Sequence, residues 1–172
     1  ILGGIRSEYT GADYEGYVWD ENDDAPTTTS GWKDNWSWLP SIQAKYAVSE
    51  DVQVRAAFSS TIAKPNYYDL VPYQLINEDG DGIELGNPDL DYTTSLNYDL
   101  MVEYFLPSLG IVNAGFFYKS LENFIYTRAW EENGIDYEQP TNADDSYILG
   151  FELNGEMQFT FLPGALSGFG VG

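Results

Sequence analysis

The chain has 172 residues, with seven Lys and Arg against 28 Asp and Glu, and a formal charge of −21. That balance excludes a nucleic-acid footprint, which needs clustered cations, and the lack of Cys and His excludes disulfide frameworks, Cys-based zinc sites and His-dependent triads. Fourteen Tyr, nine Phe and five Trp beside 17 Gly favour β structure over helix, and no apolar run approaches the ~18 residues of a membrane-spanning helix.

Six strand segments and the start of a seventh follow in chain order: 1–19, 38–48, 52–61, 94–106, 111–126, 147–160 and 168 onward. Their connections are of two kinds. The pieces at about 49–51, 107–110 and 161–167 are hairpin-sized turns, whereas 20–37, 62–93 and 127–146 are long loops. Strict alternation of the two kinds puts every long loop on one side. Short turns on one side and long loops on the other is the build of a transmembrane β-barrel in an outer membrane.

Side-chain parity says what each face meets. One parity runs Ile42, Ala44, Tyr46; Val52, Val54, Ala56, Phe58; Leu96, Tyr98, Leu100, Val102, Tyr104; and Leu149, Phe151, Leu153, Met157, Phe159, without a charge. The other parity carries Arg6, Glu8, Lys45, Arg55, Asp99, Glu103, Lys119, Glu152 and Glu156, and is expected to face a lumen. These four cations and five anions nearly cancel, so the other three cations and 23 anions hold −20 of the charge, much of it in the long loops. A soluble or surface β-sandwich that binds glycans through aromatic loops is the alternative, since it too alternates apolar and polar faces. Tyr46, Tyr104 and Phe159 at the short-turn ends of the apolar face favour the barrel, where an aromatic girdle belongs.

Leu39-Pro40-Ser41-Ile42-Gln43-Ala44-Lys45-Tyr46, then Val54-Arg55-Ala56-Ala57-Phe58-Ser59, then Lys64-Pro65-Asn66-Tyr67-Tyr68-Asp69-Leu70-Val71-Pro72 resemble the barrel of TonB-dependent outer-membrane receptors. Gly86-Asn87-Pro88-Asp89-Leu90 ahead of Asn97-Tyr98-Asp99-Leu100 is similar to the family's loop end feeding a descending strand. Ala114 to Lys119, Asn123-Phe124-Ile125 and Phe161-Leu162-Pro163-Gly164 continue the likeness. The resemblance implies active uptake across the outer membrane of a diderm bacterium by a barrel of about 22 strands closed by a plug. The implied partners are outer-membrane lipid, TonB acting through the plug, and a surface lipoprotein. The chain is expected to be a middle piece of six to seven strands, without plug, TonB-box segment or closing strand.

The long loops hold Trp19, Trp32, Trp36, Tyr67, Tyr68, Tyr73, Trp130 and Tyr137, whose flat faces suit a ligand mouth or, for Trp36 above all, an interfacial girdle. The resemblance leans toward oligosaccharide cargo, with iron-siderophore as the other branch. Asn77 to Glu84 matches the opening of a calcium loop, but the twelfth position, where a bidentate Glu belongs, is Pro88. What is left is a looser calcium site on Asp79, Asp81 and Glu84, set against a plain solvated acidic turn. Acid pairs such as Asp23-Asp24, Glu131-Glu132 and Asp144-Asp145 name no nucleophile and base, and no enzyme is expected.

Overall fold

The computed structural model describes residues 1–18, 25–77, 80–107 and 110–172. Its wall strands are β1 (Leu2–Val18), β2 (Thr27–Ala47), β3 (Val52–Ala63), β6 (Thr93–Leu106), β7 (Gly110–Glu122), β10 (Ser146–Gln158) and β11 (Gly170–Val171). Between β3 and β6 lie α1 (Tyr67–Leu70), β4 (Gln74–Ile76) and β5 (Gly82–Leu85); between β7 and β10 lie β8 (Ile125–Glu132) and β9 (Ile135–Asn142). The seven wall strands form one antiparallel sheet in the order β1-β2-β3-β6-β7-β10-β11, and β4-β5-β9-β8 form a second. Among the described residues no helix is long and apolar enough to cross a membrane.

Local chemistry fixes the short turns. Between β2 and β3 the Ser49 hydroxyl accepts from the Val52 and Asp51 amides at 3.0 and 3.3 Å, a side-chain turn that reverses the chain in four residues. The long connections differ most from the sequence expectation. Residues 27–37, expected in a loop, are strand: Thr27 to Gly31 pair with Val18 to Tyr14, so β1 and β2 run on together well past the 38–48 segment. Segment 111–126 breaks at Asn123, whose positive φ of 56° turns the chain out of the wall before β8. Loops 62–93 and 127–146 hold the second sheet, in which β5 pairs parallel to β9. The last turn contains a 3₁₀ turn at Gly164–Gly168, and the seventh strand starts at Gly170.

Register carries one face across the whole wall. Leu2 pairs with Gln43, Gln43 with Ala57, Ala57 with Asp99, Asp99 with Phe117, and Phe117 with Gly150. Counting by twos from that row places Arg6, Glu8, Lys45, Arg55, Asp99, Glu103, Lys119, Glu152 and Glu156 on one face. Apolar residues, among them Leu39, Met101, Phe117, Leu121 and Ile148, interrupt it. Phe117 has a packing reason: a Cβ added to Gly150 would stand 2.2 Å from its ring, so the ring fills the space that the glycine leaves.

The opposite face is apolar and open. Ile42, Phe58, Tyr98, Tyr118 and Leu149 form one row, with Phe58–Tyr98 and Tyr98–Tyr118 ring centroids at 5.1 and 6.1 Å. Ala44, Ala56, Leu100, Phe116 and Phe151 form the next. Phe151 and Leu153 are 69% and 71% exposed, whereas Gln53, Asn97 and Glu103 on the polar face are buried. The buried apolar residues among those described are Leu70, Leu90 and Tyr92, all in the connection between β3 and β6 and none in the wall. This overturns the sandwich alternative, which requires the apolar face to be packed on a second sheet.

The height of the apolar band follows from β2. Tyr46 and Trp36 are both on its open face, ten residues apart. At about 3.4 Å per residue and an ordinary barrel tilt of about 40°, they stand about 26 Å apart along the normal, close to the ~25 Å band of outer-membrane barrels.

Candidate functional site

The polar face is a recessed wall. Gln43, Lys45, Arg55, Ala57, Asp99 and Met101 line a hollow of about 590 Å³ on it. Lys45 and Arg55 are directly paired across β2 and β3, an arrangement of like charges that needs a nearby anion. Glu103 supplies it, accepting from Arg55 Nε at 2.7 Å and from the Gln53 amide. Asn97 donates to the Ser59 carbonyl at 3.1 Å and to Thr61 Oγ1 at 3.2 Å, and so satisfies a buried row without any charge. Higher up, Glu8 accepts from both Arg6 and Lys64. Lys64 follows directly on β3, two strands away from β1, so the chain leaving β3 turns inward over the polar face.

That inward turn builds a compact rim from 64–77, 80–92 and the β8–β9 hairpin. Its hub is Gly86 to Leu90. A Cβ on Gly86 would fall 1.8 Å from the Val71 carbonyl oxygen, so only glycine fits; its amide donates to the Tyr73 carbonyl at 3.1 Å and its carbonyl accepts from Gln139 at 3.0 Å. Asn87 accepts from the Asp89 amide at 3.0 Å, while its own side-chain amide donates to the Pro140 carbonyl at 2.9 Å and its backbone amide to the Asp69 carbonyl at 2.7 Å. Leu90 is fully buried. Asn142 closes the other side, donating to the Asp91 and Asn123 carbonyls at 3.1 and 2.8 Å.

Charge inside the rim is deliberately placed beside a phenol. Tyr73 donates to Glu84 at 2.6 Å and packs on Tyr68 at 4.5 Å between centroids. Burial and the neighbouring Glu84 push the Tyr73 hydroxyl well above its usual range, so it stays a donor. Burial first, and the charge of Glu84 second, also raise Asp69 above the ordinary aspartate range. A raised carboxyl pKa means that the folded rim binds the proton more tightly than the unfolded chain does. The resulting stability is fully present below the ordinary aspartate range and is lost as the pH rises through the raised value. Protection factors in 66–77 and 80–90, with the intrinsic pH dependence of amide exchange divided out, are therefore expected to rise on acidification toward that range, and Asp69→Asn is expected to raise them already at neutral pH and to flatten the dependence. Protection factors that fall on acidification in the native chain would contradict this.

The predicted aromatic candidates separate into sets. Trp32 and Trp36 lie on the open apolar face, where Trp36 packs on Tyr9 at 5.1 Å and on Trp38 at 6.5 Å. For Trp36 that is the placement expected of a girdle, whereas Trp32, four residues farther along β2 and paired with Asp13, lies beyond the apolar band. Tyr67 donates its hydroxyl to the Asp13 carbonyl at 2.7 Å; Tyr68 and Tyr73 pack on each other; Trp130 and Tyr137 stack at 5.2 Å with Arg128 over the indole at 5.3 Å. Among the described residues no ring contact joins these sets into one platform. Trp19 lies outside the described residues.

Of the calcium candidates, Asp81 and Glu84 do not come together. Asp81 Oδ1 accepts from Asn77 at 2.7 Å, and Glu84, three residues on in an extended segment, points to the other side toward Tyr73. Asp79 lies outside the described residues, and among the described ones no three acidic side chains could share a metal ion. Sequence reasoning missed the residues that organise the rim: Lys33, Gly86, Asn87, Gln139 and Asn142. The wording Gly-Asn-Pro-x-Leu marked the hub, and Asn133-Gly134 was a readable hairpin signal for β8–β9, with φ of 55° and 80° across the two-residue turn.

Comparison with known proteins adds the following. A family profile described as TonB dependent receptor-like, beta-barrel matches residues 1–171. Among solved structures, the Serratia marcescens hemophore receptor HasR, in complex with its hemophore HasA and heme, is 14% identical with a TM-score of 0.66, over 90% of this chain and 28% of that one. The siderophore receptor PirA from Pseudomonas aeruginosa is 22% identical with a TM-score of 0.61, over 90% and 31%. The copper transporter OprC is 19% identical with a TM-score of 0.68, over 92% and 23%. The chain thus spans less than a third of each of these structures. A search of curated proteins finds no significant match.

Proposed function

This chain belongs to the TonB-dependent receptor β-barrel family, and from that premise we propose that it forms part of the wall of an outer-membrane receptor that imports a scarce ligand on energy relayed by TonB. The observation that carries the reading is the segregation of faces: nine charged residues share one recessed face, while the other is apolar and uncovered over a membrane's height. The three long connections then lie outside the cell and the short turns at 49–51, 107–110 and 161–167 face the periplasm. TonB acts through a plug domain seated in the barrel, and a surface lipoprotein partner rests on the resemblance alone.

The cargo is a metal complex. The solved relatives are named as a hemophore receptor, a siderophore receptor and a copper transporter, and carbohydrate finds no support among them. Tyr67, Tyr68, Tyr73, Trp130 and Tyr137 remain the candidate mouth aromatics, since Trp36 faces the lipid side and Trp32, beside Asp13 on the same face, stands beyond the apolar band. The test is uptake by cells carrying the full-length receptor as their sole receptor of this kind. Accumulation of radioactive iron offered as a siderophore panel, or of copper, is expected to require both the receptor and TonB. Receptor-dependent growth on oligosaccharide with no metal uptake would overturn the cargo, and uptake unaffected by TonB loss would overturn the mechanism.

A further inference from the structure

Four ties join the rim to the inner face of the β1–β2 hairpin. Lys64 pairs with Glu8, the Tyr67 hydroxyl bonds the Asp13 carbonyl, Val71 and Pro72 lie so close on Gly16 that a Cβ there would meet the Pro72 oxygen at 2.6 Å, and Lys33 reaches the hub. The last is different in kind. Lys33 Nζ donates to the carbonyl of the fully buried Leu90 at 2.5 Å and pairs with Asp91 at 3.4 Å, across 57 residues of sequence. A carbonyl on a fully buried residue needs a partner inside the fold, and a charged donor makes the stronger bond. Its side chain is only 22% exposed, so the bond is shielded from competing water. The hub in turn holds β9 through Asn87 and Gln139, and β9 pairs with β5 and β8.

We propose that Lys33 is a latch that fixes a preassembled rim, residues 64–77 and 80–92 with the β8–β9 hairpin, to the inner wall of the β1–β2 hairpin. The rim then moves as one body. A ligand meets ordered loops, and opening at this side of the mouth proceeds by release of the Lys33 bond and not by independent loop motion. The geometry serves whatever cargo passes, so the latch is tested without transport.

The chain contains no cysteine, so introduced pairs label cleanly within it. In the full-length receptor in lipid nanodiscs, nitroxides at Ser30→Cys with Asp89→Cys span the latch, and Asp89→Cys with Glu131→Cys stay within the rim; all three positions are exposed. Pulsed dipolar spectroscopy is expected to give one narrow distance for each pair. Lys33→Met keeps the aliphatic stem and removes the donor; it is expected at least to double the width of the first distribution and to leave the second narrow, which also shows that the rim is folded. A broad first distance in the native receptor would overturn the latch. So would an unchanged first distance in Lys33→Met, or broadening of both pairs, which would make Lys33 a part of the rim's own folding.

Discussion

Gly86→Ala is expected to dismantle the rim while leaving the wall intact. The added methyl would stand 1.8 Å from a backbone carbonyl oxygen, and a backbone atom cannot swing aside as a side-chain tip can. Either Val71 and Pro72 lift away from Gly16, or the Gly86 amide leaves Tyr73 and Gln139 loses the Gly86 carbonyl. Overpacking of this kind costs about 1–3 kcal/mol, which at about 1.4 kcal/mol per decade is a roughly fivefold to hundredfold rise in local opening. Hydrogen exchange of the full-length receptor should show that rise in 66–76 and 85–92, with the β6–β7 ladder unchanged. The ladder is expected to survive because its 13 residue pairs, Thr94–Glu122 to Leu106–Gly110, do not pass through the hub. Unaltered exchange around Gly86 would mean that the close approach to Val71 is not needed.

Leu100→Arg is expected to have the largest effect of any change on the wall. Leu100 is on the open face at the middle of β6, beside Ala56 and Phe116, four residues from both Leu96 and Tyr104. A guanidinium there would be held in hydrocarbon at a cost of about 2–4 kcal/mol. Ala57→Arg is the matched change on the other face. Ala57 neighbours the same row but is opposite Asp99 and beside the hollow, so the new charge meets water and a carboxylate; the stability change should be within about 0.5 kcal/mol. Reversible urea unfolding of the full-length receptor in vesicles reads both. Equal losses for the two would contradict the assignment of faces.

The wall was legible because its signal is local. Alternation has a period of two, so a few residues of β6, Asn97 to Glu103, already state which side chains are polar and which are apolar. The outward girdle pair Tyr46 and Tyr104 followed from the same parity. The rim was not legible, for two physical reasons. Strands of three and four residues, such as β4 and β5, are too short to carry a period. Its bonds also join distant residues, 57 positions for Lys33 to Leu90 and 53 for Asn87 to Pro140, and no sequence window contains both ends. The loop expected at 20–37 gives way to strand over 27–37 for a different reason. Acidic residues suggested a loop, but Thr27-Thr28-Thr29 and the alternating Trp32, Trp36 and Trp38 are β-forming, and pairing with β1 decided the matter.

The same comparison redistributes the aromatic residues. Sequence grouped them by their place between strands, yet parity on β2 sends Trp32 and Trp36 to the face opposite Lys33, while Tyr67, Tyr73 and Trp130 belong to the rim. One hairpin thus carries the Trp32 and Trp36 rings on one parity and the Lys33 and Glu8 contacts that hold the rim on the other.

An apolar face in lipid and a polar face along the conduit underlie the proposed function. Nitroxide scanning of positions 97–104 of β6, one cysteine at a time in the full-length receptor in bilayers, separates the two faces by comparing relaxation by oxygen and by a water-soluble nickel chelate. A two-residue period is expected, with oxygen contact highest at Tyr98, Leu100 and Val102 and low at Asn97, Asp99 and Met101. The reverse phase, or no period at all, would contradict it.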